Sequence, residues 1–435
     1  MPRKRQYVPL RVLLNNVPVG QLQKEPGGAI SFHYDERWLS RENPIPVSLS
    51  LPLREDAYRG LAVSAVFDNL LPDSEALRQR VAEQVGADGT DAYSLLSQIG
   101  RECVGALQFV PEGIANNKPA SEIDGRSVSE KEIEALLINL ARAPLGLDRE
   151  QDFRISVAGA QEKTALLRYE GKWLKPFGTT PTTHILKTQI GTLPNGMDLS
   201  NSVENEYYCL KFLGAFGLPV NSAEITTFGK TKALVIERFD RRWVGTDRIL
   251  RLPQEDFCQA LSCPPTRKYQ GEGGPVMVDI LEFLKAADAP AEDQKLFLKA
   301  QILFWLIAAT DGHAKNFSVF LGPQGRFRLT PLYDVLSAQP SLNARQIECK
   351  QMKLAMSVGR SRHYRIEEIH GHHFVQTAEA AGLPGARATD AIREIMEAAP
   401  GAMKAIEKGL PQGFPKKIHT SITAALANRL KRIEI

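Results

Sequence analysis

The sequence predicts an α+β protein with a small β-rich N-terminal region, a mixed strand–helix middle and a mainly helical end. Three patterns predict it. Strand-like runs bounded by turn residues fill roughly the first hundred positions. From about residue 130, capped helices alternate with apolar strands. Beyond about residue 250, helical periodicity dominates and is broken by one hairpin. The segments expected are 1–110, 130–245 and 246–435.

The elements follow in order. YVPLRVLLNNVPVGQLQ holds two apolar runs around Asn15-Asn16, a hairpin pattern, and AISFHY is a further strand. LAVSAVFDNLLPDSEALRQRVAEQVG reads as helix, with Asp73 or Ser74 capping the piece after Pro72. The polar, turn-rich stretch 111–129 reads as a linker or long loop. SEKEIEALLINLA opens on Ser129 with Glu132 three residues later, a capping box. ISVAGAQEKTALLRYEGKWLKP reads as two strands joined by a small-residue loop, and THILKTQI as an apolar strand carrying Lys187. VENEYYCLKFLGAFGL is a helix ended by Gly217, and KALVIERFD is a further strand.

Bulk properties narrow the function classes. A net charge of +4, set against 54 basic and 50 acidic residues, gives no general attraction to nucleic acid. The longest apolar run, Ile302 to Ala309, is far shorter than the roughly 20 residues of a membrane span. MPRKRQYVPL is basic but lacks the apolar core of a secretory signal. The cysteines, Cys103, Cys209, Cys258, Cys263 and Cys349, are odd in number and scattered, as in a reduced cytoplasm.

The stretch AATDGHAKNFSVF (308–320) sets Asp311 and Asn316 between a buried helix and a strand, and Asp334 ends the second strand of the same hairpin. The hairpin is expected to bring Asn316 beside Asp334, with Asp311 near. An amide oxygen and a carboxylate are hard ligands suited to Mg²⁺ with phosphate oxygens. A second carboxylate outside that shell is placed to accept a hydroxyl proton, so the set is that of a phosphoryl-transfer site. Taken alone, such Asp and Asn residues are more often turn formers.

The rest of the chain supplies a nucleotide side. Lys187 sits in an apolar strand, where a cation is costly unless paired, and Glu204 and Glu206 open the next helix. The polar break at ERFD suits a hinge whose backbone reads an adenine edge. SVAGAQEKT offers small residues and Lys163 to cover phosphates.

In that order, SVAGAQEKTALL, THILK, ENEYYCL, ERFDRRW, LPQEDFCQ, ATDGHAKNFS and LTPLYDVLSA resemble the HipA family of bacterial serine/threonine kinase toxins. The resemblance extends to VFDNLLPD and GRECVGALQF near the N-terminus. It implies a small β-rich domain packed on a two-lobed kinase-like domain with an all-helical C-terminal lobe, with ATP and Mg²⁺ as cofactors. Asp311 would be the catalytic base, with Asn316 and Asp334 on the metal. Lys187, Lys163 and the loop Ala158, Gly159, Ala160 and Gln161 would serve the phosphates. Glu237, Phe239 and Asp240 would line the hinge and His313 the nucleotide site, and Ser156 would be autophosphorylated. The implied partners are a small helix-turn-helix antitoxin, operator DNA through that antitoxin, and an aminoacyl-tRNA synthetase as substrate, the glutamyl enzyme by analogy. The implied compartment is the bacterial cytoplasm.

The sequence departs from ordinary protein kinases. It has no G-x-G-x-x-G, HRD is replaced by Ala309-Thr310-Asp311, and DFG by Tyr333-Asp334-Val335. Asp311, His313 and Asn316 are spaced as in lipid kinases, which leaves a lipid or small-molecule kinase, or a weak nucleotide-binding co-repressor, as alternatives. GAQEKT lacks the spacing of a Walker A motif, and HGHH (370–373) reads as a surface cluster at a helix start. The basic run 360–365 is either a solvated loop or a docking element.

Overall fold

The computed structural model describes residues 7–114, 123–147, 154–159 and 161–434. They form two compact units. The first takes the chain up to Thr188, then Thr226–Thr266 and Ser318–Phe327; the second takes Gln189–Ile225, Arg267–Phe317 and Arg328 onward.

The first unit opens on an antiparallel sheet. Its strands are β1 (Leu10–Leu14), β2 (Val17–Lys24), β3 (Ile30–Tyr34), β4 (Tyr58–Arg59) and β5 (Leu107–Pro111), in the order β4-β3-β2-β1-β5. Asn15 (φ 49°) and Asn16 (φ 66°) turn β1 into β2. Positive φ at both central residues matches the right-handed strand twist, and Asn tolerates it. Helices Leu61–Asp68, Glu75–Val85 and Ala92–Ile99 bury Phe67, Val81 and Leu95 in the same core as Phe32 and Phe109 of the sheet. The Ser74 side chain caps the second helix by accepting from Leu77 N, the serine of the two candidates that the sequence left open.

A second sheet of this unit contains β6 (Gly125–Ser127), β7 (Lys163–Tyr169), β8 (Lys172–Pro176), β9 (His184–Thr188) and the strand Thr231–Glu237. β6 falls inside the expected linker, where Arg126 pairs with Lys175. The helix Glu130–Ile138 carries the expected box, with Ser129 and Glu132 each accepting from the other's backbone N–H. Its Ile133 and Leu137 pack with Leu166, Leu186 and Val235 of the sheet.

The second unit is built on helices Ser202–Ala215, Pro290–Ile307, Gly371–Ala380, Gly385–Gly409 and Lys416–Leu430. Pro290–Ile307 is polar in its first turns and mainly apolar from Leu296 on, and it buries Phe297, Leu298, Ile302, Leu303, Phe304 and Trp305. Each such side chain contributes about 1.5–3 kcal/mol on leaving water. The Trp305 indole N–H reaches Ile366 O at 3.0 Å, and Arg429 reaches Leu306 O at 2.8 Å. This unit also contains the ladder Lys353–Val358 with His363–Arg365, placing part of the basic run 360–365 in a strand. No helix among the described residues is long and apolar enough to cross a membrane.

Candidate active site

The second unit presents the acid–amide set where its central helix ends. Ala308 takes the left-handed conformation (φ 54°) and stops the helix, and Ala309 N still bonds Phe304 O at 2.8 Å. Gly312 lies so close to Phe304 that a Cβ there would fall 2.6 Å from the ring, so only glycine lets the chain double back. His313 N then donates to Asp311 O at 2.8 Å, and Asn316 N to His313 O at 2.9 Å. Phe317 anchors the exit, its ring 5.0 Å from Phe297 and 5.6 Å from Phe304.

Asn316 ties the set together. Its buried Nδ2 donates to Asp311 O at 2.8 Å and to Asp334 O at 3.3 Å. The expected juxtaposition of these three residues is therefore present, by a different route. The hairpin strand Phe327–Leu329 stops before Asp334, which lies in a non-regular stretch with φ 58°. Aspartate visits that region more readily than most residues, and such backbone gathers at functional sites. The stretch is pinned by Arg328, whose Nε donates to Asp293 Oδ2 at 3.0 Å, and by the Tyr333 hydroxyl, which donates to Lys315 O at 2.9 Å. Beyond Asp334, Ser337 and Asn205 exchange two bonds, from Asn205 Nδ2 to Ser337 O (2.8 Å) and from Ser337 N to Asn205 Oδ1 (3.0 Å). The helix opened by Glu204 and Glu206 thereby holds the segment that follows Asp334.

Asp311 is exposed, whereas His313 is buried. The Tyr269 hydroxyl donates to Asp311 Oδ1 at 2.5 Å, and the Tyr269 ring stands edge-on to His313 at 4.8 Å. Sequence reading missed Tyr269. Its one local signal is that RKYQGEGGP puts an aromatic in a turn-forming stretch.

The first unit holds the residues expected on the nucleotide side. Lys163 and Lys187 are both buried and directly opposed in the β7–β9 ladder. Lys163 was expected in the loop; it is the first residue of β7, and its Nζ reaches back to Ala158 O at 2.7 Å. Gly159 has φ 108°, a conformation that favours glycine, and a Cβ there would sit 2.6 Å from that ammonium, so the lysine tip would have to move aside. Gln161 Nε2 donates to Thr188 O at 2.9 Å. Ala160 lies outside the described residues. Residues 155–157 do not form the first of the two expected strands; Ile155 makes only an isolated bridge to Glu102. Ser156 is fully buried, its Oγ donating to Leu70 O and its N to Glu102 O, both at 2.7 Å.

At the expected hinge, Glu237 is exposed and the Phe239 ring stands edge-on to Phe320 at 5.7 Å. At Asp240, also expected at the hinge, the carboxylate accepts from Arg238 Nη2 (2.8 Å), Gly105 N (2.7 Å) and Gln254 Nε2 (3.2 Å), so the fold holds that side chain. It belongs to a buried cluster with Glu102, Arg238, Arg241 and Arg251. Glu102 accepts from Arg241 Nη2 at 2.8 Å, Arg251 Nη2 at 2.6 Å and Arg238 Nη1 at 3.2 Å. Burial pushes the Glu102 carboxyl up, but the guanidinia of Arg241, Arg251 and Arg238 overcome it and bring it down to about 2.

The donor set fits a Mg²⁺–nucleotide. With Nδ2 of Asn316 engaged inward, its Oδ1 is the remaining ligand atom, beside the residue that carries the Asp334 carboxylate. Among the described residues, no group of three or more His, Cys, Asp or Glu is arranged to hold a metal alone. One amide and one carboxylate suit a small hard cation whose remaining ligands are phosphate oxygens and water.

Comparisons with known proteins agree with this architecture. The chain has the fold of HipA from the complex of Shewanella oneidensis HipA, HipB and operator DNA, with a TM-score of 0.77 at 24% identity over 98% of this chain and 96% of that one. Residues 10–110 match the HipA N-terminal domain, and residues 155–403 match the HipA-like C-terminal domain. The chain is 35% identical to Y4mE of Sinorhizobium fredii, named as a kinase, over 79% of each chain. It is 28% identical to the serine/threonine-protein kinase toxin HipA of Shewanella oneidensis, over 86% of this chain and 84% of that one. The class is thus that of proteins with the HipA kinase-like fold. The chain belongs to the HipA family.

Proposed function

We propose that this protein is an ATP- and Mg²⁺-dependent serine/threonine protein kinase acting as the toxin of a toxin–antitoxin pair in the bacterial cytoplasm. The observation that carries the reading is the Asn316 side chain, which links Asp311 to Asp334 through their main-chain carbonyls. Asp311 accepts the proton of the attacking serine or threonine hydroxyl. Asn316 and Asp334 would hold Mg²⁺, which would supply charge neutralisation to the phosphate oxygens. Lys187 and Lys163 balance the phosphates, with Ala158, Gly159, Ala160 and Gln161 alongside. His313 shapes the catalytic loop, and Glu237 and Phe239 present main chain to the adenine edge.

Partners and substrate follow from the relatives. A small helix-turn-helix antitoxin, and operator DNA through it, fit the Shewanella complex, whose name gives HipA, HipB and operator DNA. The acceptor is a protein of translation, an aminoacyl-tRNA synthetase, with the glutamyl enzyme the first to try. Ser156 is the self-modification site. A phosphate there adds nearly two negative charges where the buried hydroxyl bonds Leu70 O, so it expels the segment and shuts the enzyme down.

The test is intact-mass spectrometry of purified protein with Mg²⁺-ATP, followed by peptide mapping, with Asp311→Asn alongside. A gain of one phosphate on Ser156 in the unaltered protein is expected. Asp311→Asn should transfer at least about a hundredfold more slowly, as for loss of a general base. Equal labelling of the two proteins removes Asp311 from the role. No labelling, with ATP still bound, favours a nucleotide-binding co-repressor.

A further inference from the structure

We propose that Tyr269 is the positioning residue of this kinase site, holding the Asp311 carboxylate in the orientation that receives the acceptor's proton. This rests on the kinase reading of Asp311. The bonds made by His313 N and Asn316 Nδ2 both end on Asp311 O and so act on its backbone, whereas the Tyr269 hydroxyl acts on the carboxylate itself. Asp311 is exposed, and an exposed aspartate samples several rotamers. The Tyr269 hydroxyl, 2.5 Å from Oδ1, selects one of them. A hydroxyl bonded to a carboxylate is a short, charge-assisted contact and restrains the acceptor strongly.

Tyr269 is itself held from three sides. Its carbonyl accepts from Glu272 N and Gly274 N, both at 3.0 Å. Its neighbour Gln270 is clamped to Ser357, donating from Nε2 at 2.9 Å and accepting Ser357 N at 2.7 Å. Its ring stands against His313, whose own N–H bonds Asp311 O. Base and tyrosine are thus two ends of one braced loop pair. Gly274 fits that loop because a Cβ there would lie 2.0 Å from Arg267 O. A carboxylate misaimed by an ångström loses reactivity without losing nucleotide, since positioning acts on the transfer step.

The test compares the unaltered protein with Tyr269→Phe, which keeps the ring and removes only the hydroxyl. Phosphate incorporation from Mg²⁺-ATP into the chain itself or into dephosphorylated casein, whichever the unaltered protein labels faster, is followed at varied ATP. We expect the transfer rate constant to fall about ten- to a hundredfold while half-saturation by ATP stays within about twofold. An unchanged rate constant overturns the role, and so does a loss that tracks weaker ATP binding, the mark of a merely structural tyrosine. Should Tyr269→Phe be unstable, Gln270→Ala loosens the same loop with the hydroxyl intact and is read identically. Failure of the kinase reading looks different: either the unaltered protein transfers nothing, or Asp311→Asn transfers as fast as it does, and the role of Tyr269 then falls too.

Discussion

Glu255 shows how much one buried carboxyl can decide. It lies in the strand Gln254–Asp256 and is 1% exposed, with Leu49 N donating to its Oε1 at 2.7 Å. Burial pushes its pKa up to about 8, against the lowering effect of bonds from Ser48 and Leu49. Below about pH 4.3 both folded and unfolded chains hold the proton, and the group's contribution is whole. Between there and about 8 the folded chain keeps a proton that the unfolded chain has released, so stability falls as pH rises, by up to about 1.4 kcal/mol per unit. Glu255→Gln, a permanently uncharged isostere, should flatten thermal midpoints between about pH 5 and 8. A slope that survives the substitution removes Glu255 as its cause. Legibility at this scale followed sequence distance. Asp311 and Asn316 could be read because the stretch between them is short and its flanks are apolar. Tyr269 meets Asp311 across 42 positions, a separation that no local pattern reports.

Among elements, local chemistry was legible wherever it closes on itself. The Asn15-Asn16 turn and the Ser129–Glu132 box form as read, since each satisfies its own backbone groups within a few residues. Residues 155–157 have a strand-like pattern but no ladder partner, which pattern alone does not supply; Ser156 bonds to Glu102 and Leu70 instead. The sequence places Lys163 in the loop because the edge of a strand depends on pairing with β9, which sequence does not show. The buried ions make the same point. Glu102 joins the end of the first sheet's helical layer to the strands Arg241–Val244 and Arg248–Arg251 through Arg241 and Arg251, and to the residue after the strand Thr231–Glu237 through Arg238. Glu102→Gln leaves those guanidinia under-compensated, and a loss of about 3–5 kcal/mol is expected in urea unfolding. A loss below about 1 kcal/mol would mean that water or rearrangement replaces the carboxylate.

At the scale of the molecule, the α+β class and the kinase-like architecture were legible because long motifs keep their order along the chain, and order survives where individual contacts are invisible. The feature with the widest consequence is again the Glu102 cluster. Glu102 falls within the N-terminal family match, whereas Arg238, Arg241 and Arg251 fall within the C-terminal one. The boundary between two recognisable modules is therefore crossed by one desolvated charge network, reinforced where Asn15 exchanges two 2.8 Å bonds with the Arg251 backbone. Cut between residues 114 and 123 and co-expressed, the two pieces should co-purify as a stoichiometric pair. Glu102→Gln in the shorter piece should weaken that recovery; pieces that behave as independent soluble domains would refute the expectation. The seam visible in the gene is then no seam in the protein: the two modules are not separable goods but a single inheritance, tied by a knot of five charges that neither half can carry alone.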